Sequence, residues 1–243
     1  MRFQRLKSLI AAQTRVGGFP FLRSNVLEVR NIEMLKKAMN WKKHPILGDA
    51  YLSSFDYLED LNDRRIRDAE VIGASCCNHD PRIVLEIGTA HGHTTALMAR
   101  NAPQADVYTV NIPPDQMQDS GQLNTFAPSL EEIGQYYREQ QLTNVIQKLA
   151  NTATWEPDFG PIDVTFIDGC HDADFVYHDT RKVLSQCRSG SIILWHDFAP
   201  ELARIYGWIA EVCRGVERLY RTGLIKGRIL HLQDSWVGLY QVP

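Results

Sequence analysis

The stretch Arg82–Ala96, RIVLEIGTAHGHTTA, leaves the chain few ways to fold. Ile83, Val84, Leu85 and Ile87 form a short apolar run rich in β-branched residues, opened by Asp80-Pro81, and two glycines and a helix-compatible segment follow at once. This reads as strand, tight turn, helix. Glycine at 88 and 92 lets backbone approach a ligand closely, and the first N–H groups of the next helix lack intrahelical acceptors. Glu86 places a carboxylate at the same mouth. Glu86, Gly88, Thr89, Ala90 and Gly92 are therefore candidate ligand-binding positions. Dinucleotide-binding turns use three glycines as G-x-G-x-x-G, and Ala90 stands at the place of the second, which disfavours a nicotinamide oxidoreductase.

Further along, the same rhythm repeats. Strands are predicted at Asp106 to Val110, Val145 to Leu149, Ile162 to Ile167 and Ser191 to Trp195, with helices near 62–76, 130–139, 174–187 and 202–213. Two last runs, 228–232 and 236–241, are separated by only Gln233, Asp234 and Ser235, a link that permits an antiparallel hairpin and forbids a parallel crossover. The expected fold is α/β: a Rossmann-like, doubly wound, mostly parallel seven-stranded sheet ending in an antiparallel hairpin. Residues 1–61 lack this rhythm and read as a helical segment that packs on, or caps, the domain at 62–243. Leu6, Leu9 and Ile10 suggest one short amphipathic helix, Ile32, Leu35 and Met39 after an Asn31 cap suggest a second, and Tyr51, Leu52, Phe55 and Leu58 add an aromatic-rich piece.

With 26 basic against 29 acidic residues and a net charge of -3, nothing electrostatic favours nucleic acid or an anionic membrane. Five cysteines, two of them adjacent, form neither a disulfide framework nor a C-x-x-C metal pattern. No apolar run approaches a membrane span or a signal-peptide core, so a cytoplasmic protein acting on a small molecule is expected. A homo-oligomer is compatible with the sequence.

Ligands of open α/β sheets bind beyond the carboxyl ends of the strands. There the chain places Asn111, Asn151 and Thr152, Asp168 with His171, and His196 with Asp197. Asp168 and Asp197 should end neighbouring strands, about 4.8 Å apart. The E-x-G-x-x-x-G turn resembles the first motif of the class I S-adenosylmethionine-dependent methyltransferases. The segment IDVTFIDGCHDADFVYHDTRKVLSQCRSGSIILWHDF is similar to the branch that includes sugar and small-molecule O-methyltransferases and cephalosporin hydroxylase-like proteins. The shared pattern is F-I-D-G-x-H, a helix with a V-x-x-D step at Val176 to Asp179, and an apolar strand ending in H-D.

That resemblance implies S-adenosyl-L-methionine held by Glu86, Gly88, Thr89, Ala90, Gly92, Asn111, Asn151, Thr152 and Asp168, and a hydroxylated small-molecule acceptor. It also implies Mg²⁺ or another divalent cation on Asp168 and Asp197, with His196 contributing. His171 is then the best available base. Two departures keep a non-catalytic adenosyl-ligand or protein-binding module open. The second strand ends in Asn111, where the family usually has an acidic residue for the ribose, and Asn151 replaces an acidic residue near the third. His91 and His93 read as capping or ligand-contacting residues and His178 as structural or surface. Trp155, Trp195, Trp208 and Trp236 read as core or pocket wall.

Overall fold

The structure, a computed structural model, describes residues 18–48, 59–119 and 127–243. The proposed helix around Leu6 to Ile10, the Tyr51 to Leu58 piece and residues 120–126 of the loop after the second predicted strand lie outside the described residues.

In chain order the strands are β1 (Val26–Val29), β2 (Ile83–Ile87), β3 (Asp106–Asn111), β4 (Val145–Leu149), β5 (Ile162–Ile167), β6 (Cys187–Trp195), β7 (Ile229–Leu232) and β8 (Gly238–Gln241). The helices are α1 (Pro20–Asn25), α2 (Ile32–Met39), α3 (Glu59–His79), α4 (His93–Asn101), α5 (Gln135–Glu139), α6 (Ala173–Gln186) and α7 (Gly207–Arg221). Spatially the sheet runs β1-β7-β8-β6-β5-β2-β3-β4, with β8 antiparallel to both its neighbours and every other pair parallel. The seven expected strands and the terminal hairpin are present. An eighth strand, β1, extends the sheet beyond β7 from a segment read as purely helical.

Glu217 explains how that segment is held. Its carboxylate, buried on α7, accepts the backbone N–H groups of Phe21 (3.1 Å) and Leu22 (3.0 Å) at the start of α1. Phe21 also stacks on Tyr220. The next helix behaves as its sequence suggests: Asn31 caps it by accepting from Met34 N at 3.0 Å, and Asn40 closes it in the left-handed conformation. Two helices differ from expectation. Of the segment 130–139 only α5 is helical, and α7 begins at Gly207 because 199–205 turn before it.

Apolar clusters lie on both faces of the sheet, one under α6 and α7 and the other under α3 and α4. The chain leaves β2 for β3 and β4 on one side, then returns to lay β5 along the other side of β2. The carboxyl ends of β2 and β5 therefore flank the switch point, where such sheets open a crevice. Among the described residues no helix is long and apolar enough to cross a membrane.

Candidate active site

The turn after β2 is shaped by contact with β5. Gly88 has φ +103°, and a Cβ placed on it would come within 2.0 Å of the Asp168 carbonyl oxygen. Only glycine lets these two strand ends meet. Ala90 follows in the left-handed region at φ 47°, held by its N–H donating to Asn111 Oδ1 at 3.1 Å. The N–H groups of Gly88 and Gly92 also have backbone acceptors, Val110 and Thr89, each at 2.8 Å. The turn thus offers a close approach more than a row of open donors. Gly92 is a glycine for another reason: a Cβ there would strike Tyr137 and Gly134, so its bareness accommodates the segment before α5.

Glu86 does not reach the cavity. It is fully buried and shares a sheet face with Val84, the face covered by α4. There Thr95 of α4 and Thr109 of β3, the latter at 2.5 Å, donate their hydroxyls to Glu86 Oε2. Thr89 joins the same network through Thr109 Oγ1 at 2.7 Å, and Gln147 donates to Thr89 Oγ1 at 3.0 Å. Glu86 and Thr89 therefore brace the turn from beneath instead of lining the site.

Burial pushes the Glu86 carboxyl up to about 8, against the two threonine hydrogen bonds and with a further push from Asp168. The folded protein binds this proton more tightly than the unfolded chain, so the stability it confers is complete below the ordinary glutamate range and is lost as pH rises to about 8. Glu86→Gln, which is always neutral, is expected to gain stability relative to wild type between pH 5 and pH 9, on the order of a few kcal/mol. Urea denaturation of both proteins across that range measures it, and a constant difference would contradict the assignment.

A cavity of about 330 Å³ opens at the carboxyl ends of β2 to β6. Gly88, Ala90, Asn111, Asn151 and Thr152 line it towards β3 and β4; Asp168, His171, His196 and Asp197 line it towards β6. Among the predicted positions Glu86, Thr89 and Gly92 stand outside. Asn111 lines the wall with both side-chain ends engaged, its Oδ1 by Ala90 N and its Nδ2 by the Ile112 carbonyl at 2.9 Å. Asn151 Oδ1 accepts from Ala153 N at 2.9 Å. Sequence periodicity did not single out Phe175 and Cys170 as further wall, whereas Trp208 and Trp236 are the pocket wall they were read as. Trp195 is core, His93 stacks on Tyr136, and His178 is exposed beside Tyr177.

Because β5 and β6 are neighbours with Ile167 opposite Trp195, Asp168 and Asp197 are brought to one place. Two imidazoles lie between them. His171 Nε2 is 2.8 Å from Asp197 Oδ2 and 3.9 Å from Asp168 Oδ1. His196 Nδ1 is 2.9 Å from Asp168 Oδ1 and 3.9 Å from Asp197 Oδ1, while its Nε2 is 3.6 Å from Asp68 Oδ2. Asp68, from α3, carries no signal in the sequence; its other oxygen accepts Trp236 N at 2.6 Å. Burial disfavours a charged His196, but the Asp168 and Asp197 charges and the close contacts with Asp168 and Asp68 outweigh it and hold the imidazole well above its usual range. For Asp197 burial is likewise overcome, by the charge of His196, by His171 and by the Trp208 indole, and the carboxyl stays below its usual range. Asp197 takes a left-handed φ of 51°, which aspartate tolerates better than most residues.

The cation implied by the resemblance gains no support from this arrangement. Each carboxylate already faces an imidazole, and among the described residues no three His, Cys, Asp or Glu side chains converge on a metal position. The charged His196 supplies the counter-charge there.

Comparison with known proteins agrees with this architecture. Residues 85–198, from within β2 to just past β6, match the family model described as a methyltransferase domain. No curated protein matches the sequence significantly. Among solved structures, the O-methyltransferase NovP superposes with a TM-score of 0.55 at 15% identity, over 72% of this chain and 79% of its own. The S-adenosylhomocysteine-bound methyltransferase PaMTH1 of Podospora anserina gives 0.53 at 16% identity, over 87% and 94%. TomG of Streptomyces achromogenes, an O-methyltransferase involved in tomaymycin synthesis and solved with S-adenosylmethionine, gives 0.50 at 14% identity, over 87% and 96%. At these identities the likeness is one of fold, and the domain match adds the sequence signal. Residues 85–198 thus match a methyltransferase domain, and the fold built around them is the one these methyltransferase structures share.

Proposed function

We propose that the protein transfers the methyl group of S-adenosylmethionine to a hydroxyl of a small molecule. The observation that carries this reading is one continuous cavity, with the Gly88 turn and Asn111 at one end and a buried histidine–aspartate pair at the other. An adenosyl ligand fits the first end, where glycine and alanine keep the turn bare and Asn151 and Thr152 form the opposite wall. When bound, S-adenosylmethionine supplies an electrophilic methyl group on a sulfonium.

His171 has the task of accepting the acceptor's proton. Asp197, ionised and 2.8 Å from Nε2, keeps a proton on that nitrogen and makes Nδ1 the basic one. As positive charge develops on His171, Asp197 stabilises it. His196, fixed by Asp68 and Asp168, holds Asp168 in place at the junction of the two ends. The aromatic wall excludes water and orients the acceptor for in-line attack.

Asn111 favours a second reading, a binding module without turnover, since both its side-chain ends are engaged within the protein. Two measurements separate the readings. S-adenosylhomocysteine titrated calorimetrically is expected to bind with unit stoichiometry, and methyl-labelled S-adenosylmethionine with a panel of hydroxylated compounds is expected to give labelled product, in chelator as in its absence. Binding without transfer to any acceptor would favour the module, and no binding would defeat both.

A further inference from the structure

The charge and ring content of the acceptor end say more about what enters it. Phe175, Trp208 and Trp236 form its walls, and Asp168 and Asp197 are its acidic groups. Among the described residues lining the cavity there is no lysine or arginine. Lys182 of α6 is occupied elsewhere, donating to the carbonyls of Thr152 (2.5 Å) and Trp155 (2.7 Å) beside Glu156 at 3.3 Å. The positive charge of His196 is already faced by Asp168, Asp197 and Asp68.

An acceptor carrying a carboxylate or phosphate would therefore bring another negative charge beside two aspartates, with no basic side chain among the described lining residues to receive it. Asp197 is buried, so that repulsion is weakly screened there. A flat ring meets the opposite situation. Indole faces pack on planar rings and attract cations, and the apolar surface continues outward from Trp208. Its ring lies 4.9 Å from that of Tyr206, and Tyr206 and the neighbouring Ile205 are exposed, Ile205 to 65%.

We propose that the acceptor is a planar hydroxylated ring compound bearing no anionic group, packed against Trp208 and Trp236 with its hydroxyl at His171. The inference rests on the methyltransferase reading and gives it a substrate class. Because the carboxylates repel anions and the indoles attract rings, selection acts on binding before any chemistry.

Three probes share the 4-ethylphenol frame and differ in the group that ends the chain: 4-ethylphenol (neutral), tyramine (ammonium) and 3-(4-hydroxyphenyl)propionate (carboxylate). Each is titrated into the full-length protein saturated with S-adenosylhomocysteine, after binding of that ligand has been measured by itself. The neutral and cationic phenols are expected to bind at least tenfold more tightly than the carboxylate. Trp208→Ala should weaken both by at least tenfold while leaving S-adenosylhomocysteine affinity within about twofold. Less than tenfold discrimination against the carboxylate, or no binding of any of the three to the saturated protein, would overturn the inference. Failure of S-adenosylhomocysteine to bind would instead overturn the reading beneath it. Should Trp208→Ala fail to fold, Trp208→Phe, which keeps a ring but loses the indole hydrogen bond to Asp197, is expected to retain at least a third of the ring affinity; a larger loss would count against ring packing as the source of binding.

Discussion

Gly88→Val is expected to abolish S-adenosylhomocysteine binding and to destabilise the fold by about 3–5 kcal/mol, a size reserved for single changes with a named steric cause. Two effects combine at this position. The backbone sits at φ +103°, a region nearly closed to residues with a Cβ, and the Cβ itself would lie 2.0 Å from the Asp168 carbonyl oxygen. That neighbour is backbone at the end of β5, so the ends of β2 and β5 must part, and they part where the cofactor end of the cavity is built. Gly190 supplies the control. It has φ +93° with nothing within 4 Å of its would-be Cβ, so Gly190→Ala should show only the conformational cost, about 1–2 kcal/mol, and keep ligand affinity. Denaturation and calorimetry on both variants test the pair. A Gly88→Val protein that binds S-adenosylhomocysteine like wild type would show that the turn does not shape the cofactor end.

The second large effect concerns turnover. With any acceptor the protein methylates, His171→Asn is expected to lower kcat by about 10²–10⁴-fold, the usual contribution of a positioned general base. Asp197→Asn should cost a comparable factor for a different reason: an amide at 2.8 Å from Nε2 can donate to that nitrogen and so favours the wrong tautomer. Asparagine also tolerates the left-handed φ of 51° at this position, which keeps the change chemical and not conformational. Both variants should bind S-adenosylhomocysteine within about threefold of wild type, because the histidine–aspartate pair lies at the β6 end of the cavity. Since residues acting as a unit are non-additive, the double variant should lose little more than either single one. Additive losses would mean that His171 and Asp197 act separately, and unchanged turnover in His171→Asn would remove it as the base.

Much of the fold could be read from local pattern. The runs that became β2 to β8 are apolar, short and bounded by turn residues, and the short link before β8, five residues in the structure, admitted only a hairpin. The strand at Val26–Val29 could not be read in this way. It is four residues long, only Val29 is buried, and what makes it a strand is pairing with Ile229–Leu232 some two hundred residues later in the chain. Its anchor, Glu217 on α7, is equally distant.

The candidate site divides along the same line. That Gly88, Asn111, Asn151, Asp168 and Asp197 stand at strand ends follows from periodicity, and the neighbouring of β5 and β6 follows from the order of elements. The direction of Glu86 was decidable in part, since alternation puts it on the face of Val84. What it meets there, hydroxyls of Thr95 and Thr109, depends on packing of α4 and on the register of β3. Two aspartates close together demand a positive partner, and the sequence by itself determined that demand without naming the partner. Tertiary structure decided it by setting His171 at 2.8 Å from Asp197, His196 at 2.9 Å from Asp168, and Asp68 of α3 behind them. Strand periodicity is a property of neighbours in the chain and is written in their order; charge pairing depends on separations of a few ångströms between residues far apart in that order, which only the packed fold sets.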